Sequence, residues 1–348
     1  MEGVIRMSKW KWNFQNGEDN LQDFDIENGG SCIREWENTE ALFMESSLPV
    51  LLFEELNVTH FRLQGEVLVP GEAGFVGFIF GAADAQNYES VYICPTDDPE
   101  VGEIQYDPFM NGSSTWQIYH GPRYQAPAPF SPGKWTTMTL DVTPDGVAVY
   151  VGQTTVPQLV VNHLQLGSAG RIGLWGYLPS YVRHFLVEEI PAAARTFLDH
   201  KDQPFQTENY NSHWSVSHPY LRLEGPDASS EYVNAKVEEN GTLNLHRLFP
   251  FGQGETVKVI GEYLADKPGT GIIGFGFSDH LKLWINEELL YEGESKWAPP
   301  ESDGRIRADF CQKEVSWQEG RNIISAEITN LETLYGCGFC MKVNNQVI

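Results

Sequence analysis

The chain runs to 348 residues, more than one ordinary hydrophobic core serves, and fits two domains of normal size. A formal charge of −25 argues against the basic surface that nucleic acid needs and against contact with an anionic membrane, so neither is an expected partner. With 41% hydrophobic and 12% aromatic residues, each half can build a core without disulfide or metal support, and five cysteines, an odd number, cannot all pair within the chain.

The first twenty residues carry Trp, Lys, Gln and Asp and hold no apolar run of signal-peptide length. No later stretch approaches the ~20 apolar residues that cross a bilayer. The expectation is a cytoplasmic chain.

From residue 60 onward, period-two alternation dominates. In residues 60–69, Phe61, Leu63, Val67 and Val69 share one face while Arg62, Gln64 and Glu66 take the other, the pattern of a half-buried strand. Residues 74–80 are apolar on both faces, and Gly77 would let a neighbouring chain come close. Val91 and Ile93 continue the alternation, and further strands are predicted over 135–142, 146–151, 171–177 and 182–188, divided by turn signals such as Pro132-Gly133 and Pro144-Asp145-Gly146. Residues 191–213 lose the rhythm, and their Ala run suggests a helical turn, so a junction is expected at 194–212. Strands resume at 232–237, 243–248, 256–263, 271–277, 281–285, 322–328 and 338–343. Short strands at this spacing mean sandwiches rather than βαβ units.

Two stretches resemble known families. FRLQGEVLVP, GFVGFIFG, NYESVYICP, KWTTMTLDVTPDGVAVYVG and AGRIGLWGY follow one another as in a laminin-G/concanavalin A-like jelly roll. GFSDHLKLWINEELLYEG is similar to a hairpin of galactose-binding-like domains through Gly276, Ser278, Asp279, Asn286 and Gly293. The resemblance implies an all-β chain of two β-sandwich (jelly-roll) domains: residues 1–193 concanavalin A-like/laminin-G-like, residues 213–348 galactose-binding-like. Glu287 stands where the second family has Gly after Asn286, so a loop without positive φ is expected there.

The segment 105–124 interleaves aromatic rings with amides and basic groups: Gln105, Tyr106, Asn111, Trp116, Gln117, Tyr119, His120, Arg123 and Tyr124. Sugars present apolar CH faces ringed by hydroxyls, and sites for them combine flat rings with planar hydrogen-bonding groups. Read as a strand, TWQIYH puts Gln117 and Tyr119 on one side and Ile118 on the buried other, so Gln117, Tyr119 and Arg123 are expected to face a ligand. The expected function is non-catalytic glycan recognition by this loop of the first sandwich. Asp279, Asn286 and Trp297 are candidates for a second-domain sugar rim, although Asp279 and Asn286 are also suited to holding turns through their side chains.

Two alternatives stand beside it: a carbohydrate-active enzyme with acids from several strands, and a protein-binding scaffold. Glu103 and Asp107 imitate a glycosidase pair, but on one strand they stand about 13 Å apart at roughly 3.3 Å per residue. Retaining enzymes need about 5–5.5 Å and inverting ones roughly 6.5–9.5 Å. His120 is the candidate base for a 3-keto-glycoside hydrolase or lyase, since imidazole titrates near neutrality. No organic cofactor is expected; Asp97, Asp98, Glu100 and Glu103 are oxygen-rich enough for calcium, though not at EF-hand spacing. Cys337 and Cys340 lack a second pair for zinc and are expected to be core thiols.

Overall fold

The computed structural model describes residues 7–16, 19–26, 30–192, 205, 209–222, 231–332 and 334–344. The helical turn expected in the junction lies outside them, as does the rest of 194–212 apart from 205 and 209–212. Regular structure among the described residues is β-strand, with one five-residue 3-10 turn at Asp19–Asp23. The chain is all-β, its strands paired antiparallel. It divides into two compact units, Met1–Phe109 with Tyr119–Asp202, and Met110–Ile118 with Gln203–Ile348.

The first unit has two sheets. One runs Leu159–Val161, Val147–Val151, Thr136–Val142, Phe61–Leu68, Ser180–Glu189, Thr39–Met44, Cys32–Trp36, with Lys9–Trp12 also on Ser180–Glu189. The other runs Gln125–Pro129, Val101–Tyr106, Glu89–Pro95, Phe75–Ala82, Arg171–Tyr177, Val50–Leu52, Phe24–Asp25. The alternation of residues 60–69 is realised as expected: Phe61, Leu63 and Val67 are buried, while Arg62, Gln64 and Glu66 are half-buried. Arg62 forks onto Asp141 at 2.6 and 2.7 Å, so the polar face is knitted across strands. Gly65 makes room for the opposite sheet: a Cβ there would lie 3.1 Å from the Phe78 ring, which packs on Phe185 at 5.3 Å.

Gly77 sits in register between Tyr92 and Trp175, whose rings close over it at 5.1 Å. A Cβ at Gly77 would lie 2.0 Å from the Val91 carbonyl oxygen, so no larger residue fits. The strands before residue 60, and Val101–Tyr106, are present beyond those expected from the sequence. Several of the early ones are only two to four residues long, too short for a period-two run to stand out, and are defined by their pairing.

In the second unit, one sheet runs Tyr232–Lys236, His213–Ser217, Glu255–Ala265, Gly320–Thr329, His280–Ile285, Glu288–Glu294, with Tyr220–Leu221 beside Glu255–Ala265. The other runs Thr242–Asn244, Gly338–Asn344, Gly269–Ser278, Cys311–Trp317. Their core gathers Trp214, Val257, Phe275, Phe277, Leu283, Ile324, Phe339 and Met341. Cys337 and Cys340 are buried, and all five cysteines are free thiols.

Three expectations need correction. The strand expected over 243–248 stops at Asn244, because the chain turns there and the Asn244 side chain accepts the Arg247 N–H at 3.2 Å. The Asn286-Glu287 loop keeps both residues at positive φ, 48° and 70°, despite the missing glycine. Asn286 holds that geometry: it donates to Asn322 and accepts the Ile323 N–H, each at 2.8 Å.

The third concerns residues 110–118, expected within the first sandwich. They cluster with the second unit, where their hydrogen bonds are satisfied. The Gln117 carbonyl accepts the Ile306 N–H at 2.9 Å, the Ile118 carbonyl accepts the Asn240 amide at 2.8 Å, and the Asn111 amide donates to the His246 carbonyl at 2.7 Å.

Candidate functional site

The residues singled out in 105–124 do not form one surface. Residues 116–119 form a turn, not a strand, so alternation does not sort their side chains, and Gln117, Ile118 and Tyr119 are all fully buried. Gln105, Tyr106, Tyr119 and Tyr124 are interior residues of the first unit. The Gln105 amide donates to the Tyr119 carbonyl at 2.8 Å, and the rings of Tyr106 and Tyr124 stack at 6.0 Å. The Tyr106 hydroxyl donates to Glu89 at 2.6 Å and accepts the Gln165 N–H at 3.0 Å. Glu89 also accepts the Leu166 N–H at 2.6 Å; burial nevertheless pushes its carboxyl up, with these donors pulling against it. These groups pin a loop and offer nothing to a ligand. His120 and Arg123 are half-buried in irregular chain.

The four acidic residues of 97–103 are not gathered on one point. Asp98 accepts the Glu100 N–H at 3.0 Å and Glu103 accepts the Gln125 amide at 2.8 Å, while Asp97 and Glu100 are exposed. Among the described residues no set of three or more His, Cys, Asp or Glu side chains is grouped to hold a metal.

Trp116 and Gln117 instead join a cluster in the second unit. Trp116 is half-buried and meets Tyr335 edge-on at 5.8 Å, with the Arg305 guanidinium 5.5 Å from the Trp116 ring. Trp297 lies 6.2 Å from the same Tyr335 and remains 49% exposed. It projects from a short hairpin, Trp297–Ala298 against Ser302–Asp303. Below the rings, one oxygen of Glu332, Oε2, accepts the Trp297 N–H at 3.1 Å and the Gln117 amide at 3.3 Å. Gln117 in turn accepts the Ser278 hydroxyl at 2.7 Å. Gly304, at φ 67°, permits this approach: a Cβ there would lie 2.7 Å from the Gln117 amide nitrogen and 2.9 Å from the Trp297 nitrogen.

Asp279 anchors the cluster from beneath. It is fully buried; its Oδ2 accepts the N–H groups of Leu331 at 2.5 Å and Glu332 at 2.7 Å, and its Oδ1 accepts the Ser278 hydroxyl. Burial pushes its carboxyl up to about 7; the Ser278 hydroxyl and the two N–H groups pull it down, and the Glu332 charge adds to the rise. With its oxygens so engaged, Asp279 fixes the chain that presents Glu332 rather than lining a rim. Asn286 likewise serves its turn. Of the three second-domain candidates only Trp297 is open to solvent.

Glu332, Tyr335 and Arg305 were missed by sequence reasoning. Their stretches, NLETLYG and DGRIR, carry no spacing signal; only the exposed-type run KWAPPESDG around Trp297 marks a loop of unusual content. Chemically the cluster offers two indole rings and a phenol for CH faces, with a carboxylate, an amide and a guanidinium for hydroxyls.

No protein-family model matches the sequence, and no curated protein matches it. Among solved structures, the carbohydrate binding module CBM66 from Bacillus subtilis is similar over 48% of this chain and 92% of its own, at 14% identity and a TM-score of 0.32. The Bacillus licheniformis beta-glucanase is similar over 53% of this chain and 98% of its own, at 10% identity and a TM-score of 0.36. The Crh5 transglycosylase in complex with NAG is similar over 53% and 85%, at 11% identity and a TM-score of 0.38.

Proposed function

We propose that this chain recognises carbohydrate, without transforming it, through the cluster of Trp116, Trp297, Tyr335, Glu332 and Arg305 in the second unit. In this reading the first unit is a concanavalin A-like/laminin-G-like sandwich and the second a galactose-binding-like one. The observation that carries the proposal is Glu332: its Oε2 braces Gln117 and the backbone of Trp297, and its second oxygen makes no hydrogen bond among the described residues. A carboxylate held this rigidly beneath exposed indole is pre-organised for paired sugar hydroxyls, so binding need not first order it.

Recognition is favoured over hydrolysis because the second carboxyl nearby, Asp279, is sealed and fully hydrogen-bonded. A glycosidase needs both carboxyls facing substrate. Screening the protein on an immobilised oligosaccharide array, beside Trp297→Ala and Glu332→Gln, tests the idea. Retention of a defined glycan by the wild type, lost in both variants at unchanged melting temperature, is expected. Equal retention by all three would refute it, and release of reducing sugar by the wild type would convert the reading to an enzyme.

A further inference from the structure

The first unit carries an open depression that the proposed function does not use. It has a volume of about 490 Å³ and opens beside Phe53, Glu55, Ala82, Gly170 and Arg171. Its floor is lined by the small residues Ala82, Ala83, Ala169 and Gly170. Gly170, at φ 140°, lies so close to Ala82 that a Cβ would stand 2.6 Å from the Ala82 carbonyl oxygen, so this part of the lining stays small.

Three groups of complementary chemistry stand around that floor. Phe53 is 56% exposed, yet its backbone is fixed, its N–H donating to the Asp23 carbonyl at 2.9 Å. Arg171 opens its strand at an irregularity: it pairs with Ala82 while Gly173 pairs with Ile79, and such bulges re-aim the side chain beside them. Arg171 is half-buried, and Glu55 is exposed. Neither the guanidinium nor the carboxylate makes an ion pair or side-chain hydrogen bond among the described residues, although both line the same depression. A donor fork, an acceptor and a flat ring around a floor of small residues match an occupant that supplies acceptors, donors and an apolar face together.

We propose that this depression binds one residue of a neutral sugar, its CH face on Phe53, a hydroxyl oxygen accepting from Arg171 and a hydroxyl donating to Glu55. Neutrality follows from charge. The two side chains cancel, and an acidic sugar would meet both Glu55 and the −25 of the whole chain.

The test is an amide ¹H–¹⁵N titration of the full chain with the methyl glycosides of glucose, galactose, mannose and xylose. At least one glycoside should shift the amides of Ala83, Gly170 and Arg171. Those shifts should vanish in Phe53→Ala and in Glu55→Gln, both surface changes that leave the remaining spectrum intact, and persist in Trp297→Ala. No shift at these amides with any of the four glycosides overturns the proposal, as do shifts that survive both variants. Shifts produced by free leucine and by none of the glycosides would assign the depression to a zwitterion instead, and the sugar site would be wrong. Because the readout is local to the first unit, its failure leaves the cluster of Trp297 and Glu332 to be judged separately.

Discussion

The Ser278 hydroxyl donates to the Gln117 side-chain oxygen at 2.7 Å, and both residues are wholly buried. Gln117 is therefore a keystone of the second unit and not a contact offered to a ligand. Its amide nitrogen reaches Glu332 at 3.3 Å and its backbone joins Tyr335 and Ile306 at 3.3 and 2.9 Å. Gln117→Ala removes a packed side chain and its bonds to Ser278 and Glu332, while the Ser278 hydroxyl keeps Asp279, so about 2–4 kcal/mol of lost stability is expected, mostly from the cavity. Urea unfolding followed by tryptophan fluorescence measures it; a loss under about 0.5 kcal/mol, the size of an ordinary surface change, would show that the buried amide carries no load.

The Asn286-Glu287 turn makes the opposite prediction, a gain. Glu287 sits at φ 70°, a conformation that costs a residue with a Cβ about 1–2 kcal/mol. Glycine relieves that strain but gives the unfolded chain more freedom, which takes back about 0.4–1 kcal/mol. Glu287→Gly should raise stability by about 0.5–1 kcal/mol, read from the same urea midpoints. Asn286→Ala should lower it, since Asn286 also bonds Asn322 and Ile323.

These two loops show what the sequence made legible and what it hid. Residues 60–69 were readable because one face is buried and the other is not, so period two is imposed residue by residue. Gly77 was readable as a close approach for the same local reason. Residues 116–119 misled because Trp, Gln, Ile and Tyr imitate alternation while forming a turn, and their partners Ser278 and Glu332 lie 161 and 215 positions away. Glu332 had no local signal at all. A site assembled from four distant segments is written in contacts, and contacts of that range leave no spacing in a single chain.

Two buried titratable groups of the second unit pull stability in opposite directions with pH. Asp279 has its folded carboxyl raised from 3.8 to about 7, so the folded state holds the proton longer than the unfolded chain. Its contribution is fully present below about 4 and is lost as pH rises toward 7. His246 is buried with both ring nitrogens lacking a hydrogen-bond partner, and burial lowers its pKa from 6.5 to about 4. The unfolded chain binds that proton more readily, so His246 costs stability as pH falls from 6.5 to 4. Asp279→Asn should flatten the decline between pH 4 and 7, and His246→Phe should raise stability at pH 5 more than at pH 7.5. Urea midpoints across that range, identical in slope for wild type and Asp279→Asn, would show that the carboxyl is not the titrating group.

Gly304 links the fold of the second unit to its surface most directly. Its positive φ resists any residue with a Cβ, and that atom would fall 2.7 Å from the Gln117 amide and 2.9 Å from the Trp297 backbone nitrogen. Neither neighbour can yield cheaply, because the first is buried and bonded to Ser278 and the second is backbone held by Glu332. Gly304→Ala should therefore push the Trp297 hairpin away from Glu332, losing both stability and any glycan retention. Stability alone would not separate this from ordinary strain. The Trp297 indole N–H does: among the ten tryptophans its ¹H–¹⁵N resonance is assigned by its loss in Trp297→Phe, and it should shift when Gly304→Ala is introduced. An unchanged resonance would mean that the hairpin keeps its place without the glycine.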